Sequence, residues 1–347
     1  MEKHLSPINP TKIFNEFGER NIDARCIIGG NTTNIMELNN LKYGWAYDLY
    51  RTMGFTNFWI PEEIPMNDDK KQYEKSLSEA EKRAYELVLS FLIALDSFQV
   101  VNLKEFTRYL TAPELHMAIT AQEFQEALHS YSYQLILESV VDPIKADEIY
   151  NYWRQDEVLK ERIKVIAEIY DSLRFNPSIE NFVKATIANY VLESLYFYSG
   201  FAFFYTLGRQ DKMLNTVQQI KYINRDELTH VTLFRNIILR LKEEQPDVFK
   251  ELEKWIVEYF KFATYHEIRW GQYVTQNKIL GINNDLIEKY IKYLANLRIT
   301  QLGFKPIYHI TENPLSWIDQ FRTINNTKTD FFQKKPQTYA KRNELRW

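Results

Sequence analysis

Glu126 and His129, and again Glu227 and His230, lie three positions apart in a chain that reads as almost entirely helical. Residues at that spacing share one helix face, with Cβ atoms roughly 5–6 Å apart. Each pair can therefore aim one carboxylate and one imidazole at a single point. One such pair arises by chance on many solvated faces. Two pairs, with acids correctly placed on two further helices, form the ligand set of a carboxylate-bridged dinuclear metal site in a helical bundle.

The helices that must carry these residues can be read from their punctuation. Ser78-x-x-Glu81 is a capping box that opens a long amphipathic helix through about Tyr109. Thr111 and Glu114, around Pro113, repeat that spacing and open a second helix to about Val141. Shorter helices are expected over 144–154 and 156–174. Asn176-Pro177-Ser178 introduces an apolar helix over 179–207, and a turn at Gly208–Asp211 leads into another long helix to about Glu244. Further helices are expected over 246–276 and 284–297.

Antiparallel helices joined by a short turn place residues equidistant from that turn at one height. Glu193 precedes the 208–211 turn by about 16 residues and Glu227 follows it by about 17, so both lie roughly 25 Å from it at 1.5 Å per residue. They should face each other. Glu126 lies about 14 residues beyond the 111–113 turn, which calls for a partner near 96–98, and Asp96 is there. Two hairpins then supply Asp96, Glu126, His129, Glu193, Glu227 and His230. Hard oxygen donors with one imidazole per metal suit iron or manganese, and four carboxylates balance two divalent ions. Without metal, such acids buried together would be costly. Taken singly, most of these acids read as solvated charges, and His129 as a satisfied core histidine. Glu193 does not, because it interrupts the apolar run Ile187–Leu207.

That run has membrane-spanning length, but Glu193 lies inside it and no comparable second span exists, so it reads as the buried central helix of a large bundle. The chain has 347 residues with only 10 Gly and 11 Pro and no linker-like stretch. The expected organisation is an N-terminal arm over 1–75 with one helix near Asn40–Gly54, a helical domain over 76–316, and a polar, basic, flexible tail over 317–347. With 22 Phe, 23 Tyr and 7 Trp, an aromatic core is available. A net charge of −3 gives no reason for a nucleic-acid or anionic-membrane partner. The single cysteine, Cys26, excludes intrachain disulfides and a Cys-rich zinc site. The N-terminal stretch has no signal-like apolar segment, and cytoplasm is the expected compartment.

Tyr133 follows His129 by four residues, which brings its ring near the metal cluster. Phe197, Phe201 and Ile223 could surround the phenol with apolar groups. An oxidised side chain could persist in such a place. The sequence here resembles the small, radical-generating (β) subunit of class I ribonucleotide reductase, over roughly Asn31 to Tyr339. The resemblance rests on NFWIPEEIPM around Trp59, Asp96-Ser97, EALHSYSY (126–133), VLESLYFYSGFA (191–202), RDELTH (225–230) and TDFFQKKPQTY.

The resemblance implies an all-α, ferritin-like bundle with extra helices. Asp96, Glu126 and His129 would bind one metal and Glu193, Glu227 and His230 the other, and Tyr133 takes the position of the radical-bearing tyrosine. It also implies a route for an electron hole from His129 through Asp226 to Trp59, with Tyr339 relaying across the subunit interface and the end of the tail docking on the large catalytic subunit. A homodimer is implied, as is activation by O2 or a reduced oxygen species. The metals stay open among Fe/Fe, which leads, Mn/Fe and Mn/Mn. The N-terminal third looks most like members that have phenylalanine in place of the radical tyrosine and store the oxidant in a manganese/iron cluster. The rival readings are a ligand-binding dimetal oxidase of the same fold, which needs neither Trp59 nor a tail tyrosine, and a metal-storage or structural bundle.

Overall fold

The computed structural model describes residues 6–322. Among them no strand forms, only two isolated bridges, Pro7 with Ser178 and Ile28 with Leu110. The helices, in chain order, are α1 (Gly44–Arg51), α2 (Asn67–Lys75), α3 (Glu79–Thr107), α4 (Pro113–Val140), α5 (Pro143–Asn151), α6 (Glu157–Phe175), α7 (Ile179–Val191), α8 (Tyr198–Gly208), α9 (Leu214–Glu244), α10 (Pro246–Thr275), α11 (Asn284–Gln301) and the short α12 (Asp319–Arg322).

Four helical rods enclose the core. The α3–α4 hairpin packs against α9 through α4, and α7 and α8 pack on α9 from the other hairpin. Outside them, α6 lies on α3 and α7, and α10 on α3, α7 and α11. The close approach of α8 to α3 depends on Gly200, where a Cβ would lie 2.8 Å from Val88 Cγ1.

Local chemistry accounts for the long helices. At α3 the capping box forms as expected: Glu81 N donates to Ser78 Oγ at 3.3 Å and Ser78 N to Glu81 Oε2 at 2.8 Å. Lys212 closes on the same carboxylate at 2.7 Å, pinning the α9 end of the bundle to the start of α3. The second expected capping box does not form. Helix α4 is capped at Ala112 without a side-chain bond, and Pro113 occupies its first turn. Thr111 instead donates its hydroxyl to Cys26 O at 2.7 Å, while Glu114 accepts from Lys42 N and Tyr43 N at 3.0 Å and pairs with Arg25 at 2.7 Å. Partners from the arm engage both side chains in place of the local cap.

The arm lies on the bundle, with Ile27, Tyr43, Met53 and Trp59 in the shared core. Its expected helix is α1, which continues as a π-turn over Thr52–Thr56, and α2 is a second one. The apolar run read as one helix is two: a π-turn over Leu192–Tyr196 separates α7 from α8, and every residue from Ile187 to Gly208 is buried. Among the described residues, one helix, α3, is long and apolar enough to cross a membrane, and two-thirds of its apolar window (67%) is buried in the protein. It is a core helix. Tyr339 and Trp347 lie outside the described residues.

Candidate metal centre

All six residues converge. Donor atoms of Asp96, Glu126, His129 and Glu227 lie within 4.8 Å of one another, and so do those of Glu126, Glu193, Glu227 and His230. Glu126 and Glu227 belong to both groups, so the two positions share a pair of carboxylates. His129 Nδ1 stands 3.1 Å from Glu227 Oε1, 3.6 Å from Glu126 Oε2 and 3.7 Å from Asp96 Oδ2. His230 Nδ1 stands 2.9 Å from Glu227 Oε2, 3.1 Å from Glu126 Oε1 and 3.8 Å from Glu193 Oε2. The imidazole rings are 5.9 Å apart, and all six side chains are 0% exposed.

A π-turn carries Glu193. Inserting one residue into a helix in this way commonly marks a functional site, since it re-aims side chains without breaking the rod. The equidistance argument brings Glu193 opposite Glu227 but contains no hint of the turn, because no Gly or Pro marks Leu192–Tyr196.

The pocket holds donor atoms with nothing to bind. Asp96 Oδ1 and Oδ2, Glu126 Oε2, His129 Nδ1, Glu193 Oε2 and Glu227 Oε1 have no hydrogen-bond partner among the described residues. Buried polar atoms left unpaired cost on the order of 1–3 kcal/mol each, more when charged. This donor set of four carboxylates and two imidazoles fits a pair of cations.

The electrostatics of these side chains agree. Burial, and then the neighbouring Glu126 charge, hold Asp96 and Glu193 well above the usual carboxylate range. Burial alone would raise Glu227 too, but His230 and His129 outweigh it and hold it low. Both imidazoles are held well above the ordinary histidine value: burial opposes their charge, yet Asp226 and Glu126 overcome it at His129, and Glu126 and Glu227 at His230. The pocket demands positive charge.

The outer nitrogens are also occupied. Asp226 Oδ2 lies 3.4 Å from His129 Nε2 and accepts the Trp59 indole N–H at 2.9 Å, while Asp226 Oδ1 is held by Arg225 at 3.0 Å. Trp59 in turn packs on Tyr222, with ring centroids 5.3 Å apart. His230 Nε2 lies 2.9 Å from Gln125 Oε1. Ligating histidines ordinarily carry such partners, which fix ring orientation.

Tyr133 is fully buried and its hydroxyl has no hydrogen bond of ordinary geometry; burial and the adjacent Asp96 push its pKa well above the usual phenol value. Tyr131, two residues away, is 43% exposed and donates to Glu62. Phe197, Phe201 and Ile223 are buried, the two phenylalanine rings stacked 5.7 Å apart. Sequence reasoning did not find Gln99, Gln122, Gln125, Asn189 or Arg225. Three of them had a readable signal: Gln99 is three residues after Asp96, Gln122 four before Glu126 and Asn189 four before Glu193, each on the same helix face as an acid.

A helical bundle with two carboxylate–histidine pairs facing two further acids in its core defines the ferritin-like class of protein that can hold a dinuclear metal site. The family model of the ribonucleotide reductase small chain matches residues 35–314. The β subunit of ribonucleoside-diphosphate reductase from Treponema pallidum (strain Nichols) is 45% identical over 95% of this chain and 94% of its own. Its counterpart from Halalkalibacterium halodurans is 40% identical over 91% of each. A solved R2 subunit of ribonucleotide reductase from Clostridium botulinum superposes with a TM-score of 0.89 at 50% identity, covering 92% of this chain and all (100%) of that one. The chain belongs to the ribonucleotide reductase small-chain family: it is an oxidoreductase subunit of a kind that works with a large subunit.

Proposed function

We propose that Asp96, Glu126 and His129 hold one metal ion and Glu193, Glu227 and His230 the other, with Glu126 and Glu227 able to reach both. The metal pair is iron in the first instance, with Mn/Fe and Mn/Mn as the alternatives, since carboxylate and imidazole donors scarcely discriminate among them. Bound there, the pair supplies oxidising power drawn from O2 or a reduced oxygen species.

The residues around it then have separate tasks. Tyr133 stores the oxidising equivalent by losing an electron, with Asp96 beside its hydroxyl to receive the proton. Burial keeps water and reductants from the phenol. Asp226 aligns His129 with Trp59, and the hole leaves by that link to reach a cysteine of the large catalytic subunit, where ribonucleotide reduction takes place. Tyr339 is the relay in the tail, and the residues beyond it dock on the large subunit. The arm, bundle and tail divide near residues 75 and 316. The chain acts as a cytoplasmic homodimer, and exposed Val101 and Phe124 on the α3–α4 hairpin are apolar surface suited to a second copy.

The observation that carries this reading is the single Asp226 oxygen shared by His129 and Trp59. An oxidase acting on a small organic substrate in its own pocket has no use for it. The test is low-temperature electron paramagnetic resonance after anaerobic Fe(II) loading and exposure to O2. A tyrosyl signal in the wild type, absent from Tyr133→Phe, is expected. No organic radical in the wild type would reject iron-based tyrosyl storage and direct the same experiment to Mn(II) plus Fe(II). Removing residues 336–347 should abolish ribonucleotide reduction with the partner and leave the radical signal intact.

A further inference from the structure

Glu193 differs from the other acids of the pocket in how much of it is already held. Its Oε1 accepts from three amide side chains: Gln122 Nε2 at 2.8 Å, Asn189 Nδ2 at 3.4 Å, and Gln99 Nε2. Its Oε2 has no hydrogen bond. The three donors come from α4, α7 and α3, and each is fully buried. Behind them Asn102 Nδ2 donates to Asn189 Oδ1 at 3.1 Å and approaches Gln99 Oε1 at 3.5 Å. With their oxygens turned toward Asn102, both amides must present nitrogen to Glu193. Gln122 also reaches Glu126 Oε1 at 3.2 Å. Asp96, at the other end of the pocket, has neither oxygen engaged in this way.

An oxygen that accepts several N–H groups has its lone pairs committed. We infer that Gln99, Gln122 and Asn189 are positioning residues that confine Glu193 to ligation through Oε2 alone. This rests on the ligand assignment proposed above. It makes the two metal positions unequal: the one beside Asp96 can take two oxygens from its terminal acid, the one beside Glu193 only one. The Glu193 position is therefore the weaker, filled second, and dependent on the amides to keep its carboxylate aimed. Changes to such outer partners typically cost about 10–100-fold in metal affinity.

The experiment is Mn(II) titration of the metal-free full chain, with free Mn(II) read by electron paramagnetic resonance, for the wild type, Gln99→Met, Gln122→Met and Asn189→Ala. Two Mn(II) per wild-type chain are expected, with the second binding step weakened about 10–100-fold and the first unchanged in Gln99→Met and Asn189→Ala, and the second step weakened more than the first in Gln122→Met, whose amide also reaches Glu126. Wild-type affinity at both steps, or equal weakening of both, overturns the proposal, since general loosening of the bundle would not single out one step. Fewer than two Mn(II) in the wild type would instead sink the ligand assignment itself. Asn189→Ala, the smallest change, decides the matter if the glutamine variants do not fold.

Discussion

At the scale of single residues, Asp226 has the most specific task, because its two oxygens serve different neighbours. Arg225 holds Oδ1, and His129 and Trp59 meet at Oδ2. Asp226→Asn keeps the shape but turns one oxygen into an N–H donor, which cannot accept from the indole and the imidazole together. The expected outcome is loss of ribonucleotide reduction with the large subunit, while Mn(II) titration still finds two metals, bound within about 10–100-fold of the wild type. Unchanged reduction would remove Trp59 from the route. Six acids and histidines were legible in the sequence because each announces itself by charge and spacing. The amides around Glu193 carried only a weaker signal, a shared helix face with an acid: Gln and Asn at such spacing are ordinary on solvated faces, and only the fold shows these three to be buried.

At the scale of elements, the helices were largely readable and their joints were not. Capping residues and hydrophobic periodicity locate α3, α4 and α9 to within a few residues, since those signals act within one or two turns. The π-turn at Leu192–Tyr196 and the diversion of Thr111 and Glu114 to the arm depend on contacts with segments distant in sequence. The start of α3 gives a clean test of the local part. Burial would raise the Glu81 carboxyl, but Lys212 and the Ser78 backbone outweigh it and hold the pKa below its ordinary value. The depressed folded-state value means that ionised Glu81 stabilises the fold above the ordinary carboxylate pKa. That contribution fades as pH falls through the ordinary value toward the lower folded one. Glu81→Gln should therefore cost about 1 kcal/mol at neutral pH and progressively less in acid. Melting temperatures of both proteins from pH 7 to pH 3 should converge; a constant gap would mean that Glu81 acts through packing.

At the scale of the whole molecule, the site is braced from outside by a second layer of helices. Arg162 on α6 pairs with Glu267 on α10, and both are buried. The guanidinium also lies over Phe91 at 4.4 Å and Tyr196 at 4.6 Å, the latter in the same π-turn as Glu193. Removing one partner of a buried pair strands the other charge, at a cost of about 3–5 kcal/mol. Urea unfolding of Arg162→Met should show that loss, and adding Glu267→Gln should recover part of it. A loss below 1 kcal/mol would place the stability of this layer in its apolar contacts instead.

The complete burial of the six converging side chains has a consequence in time. An ion can reach or leave them only when helices of the bundle part, and such openings of a core are rare events governed by its local stability. On the ligand assignment proposed above, the entry and loss of metal are therefore paced by how often the bundle opens.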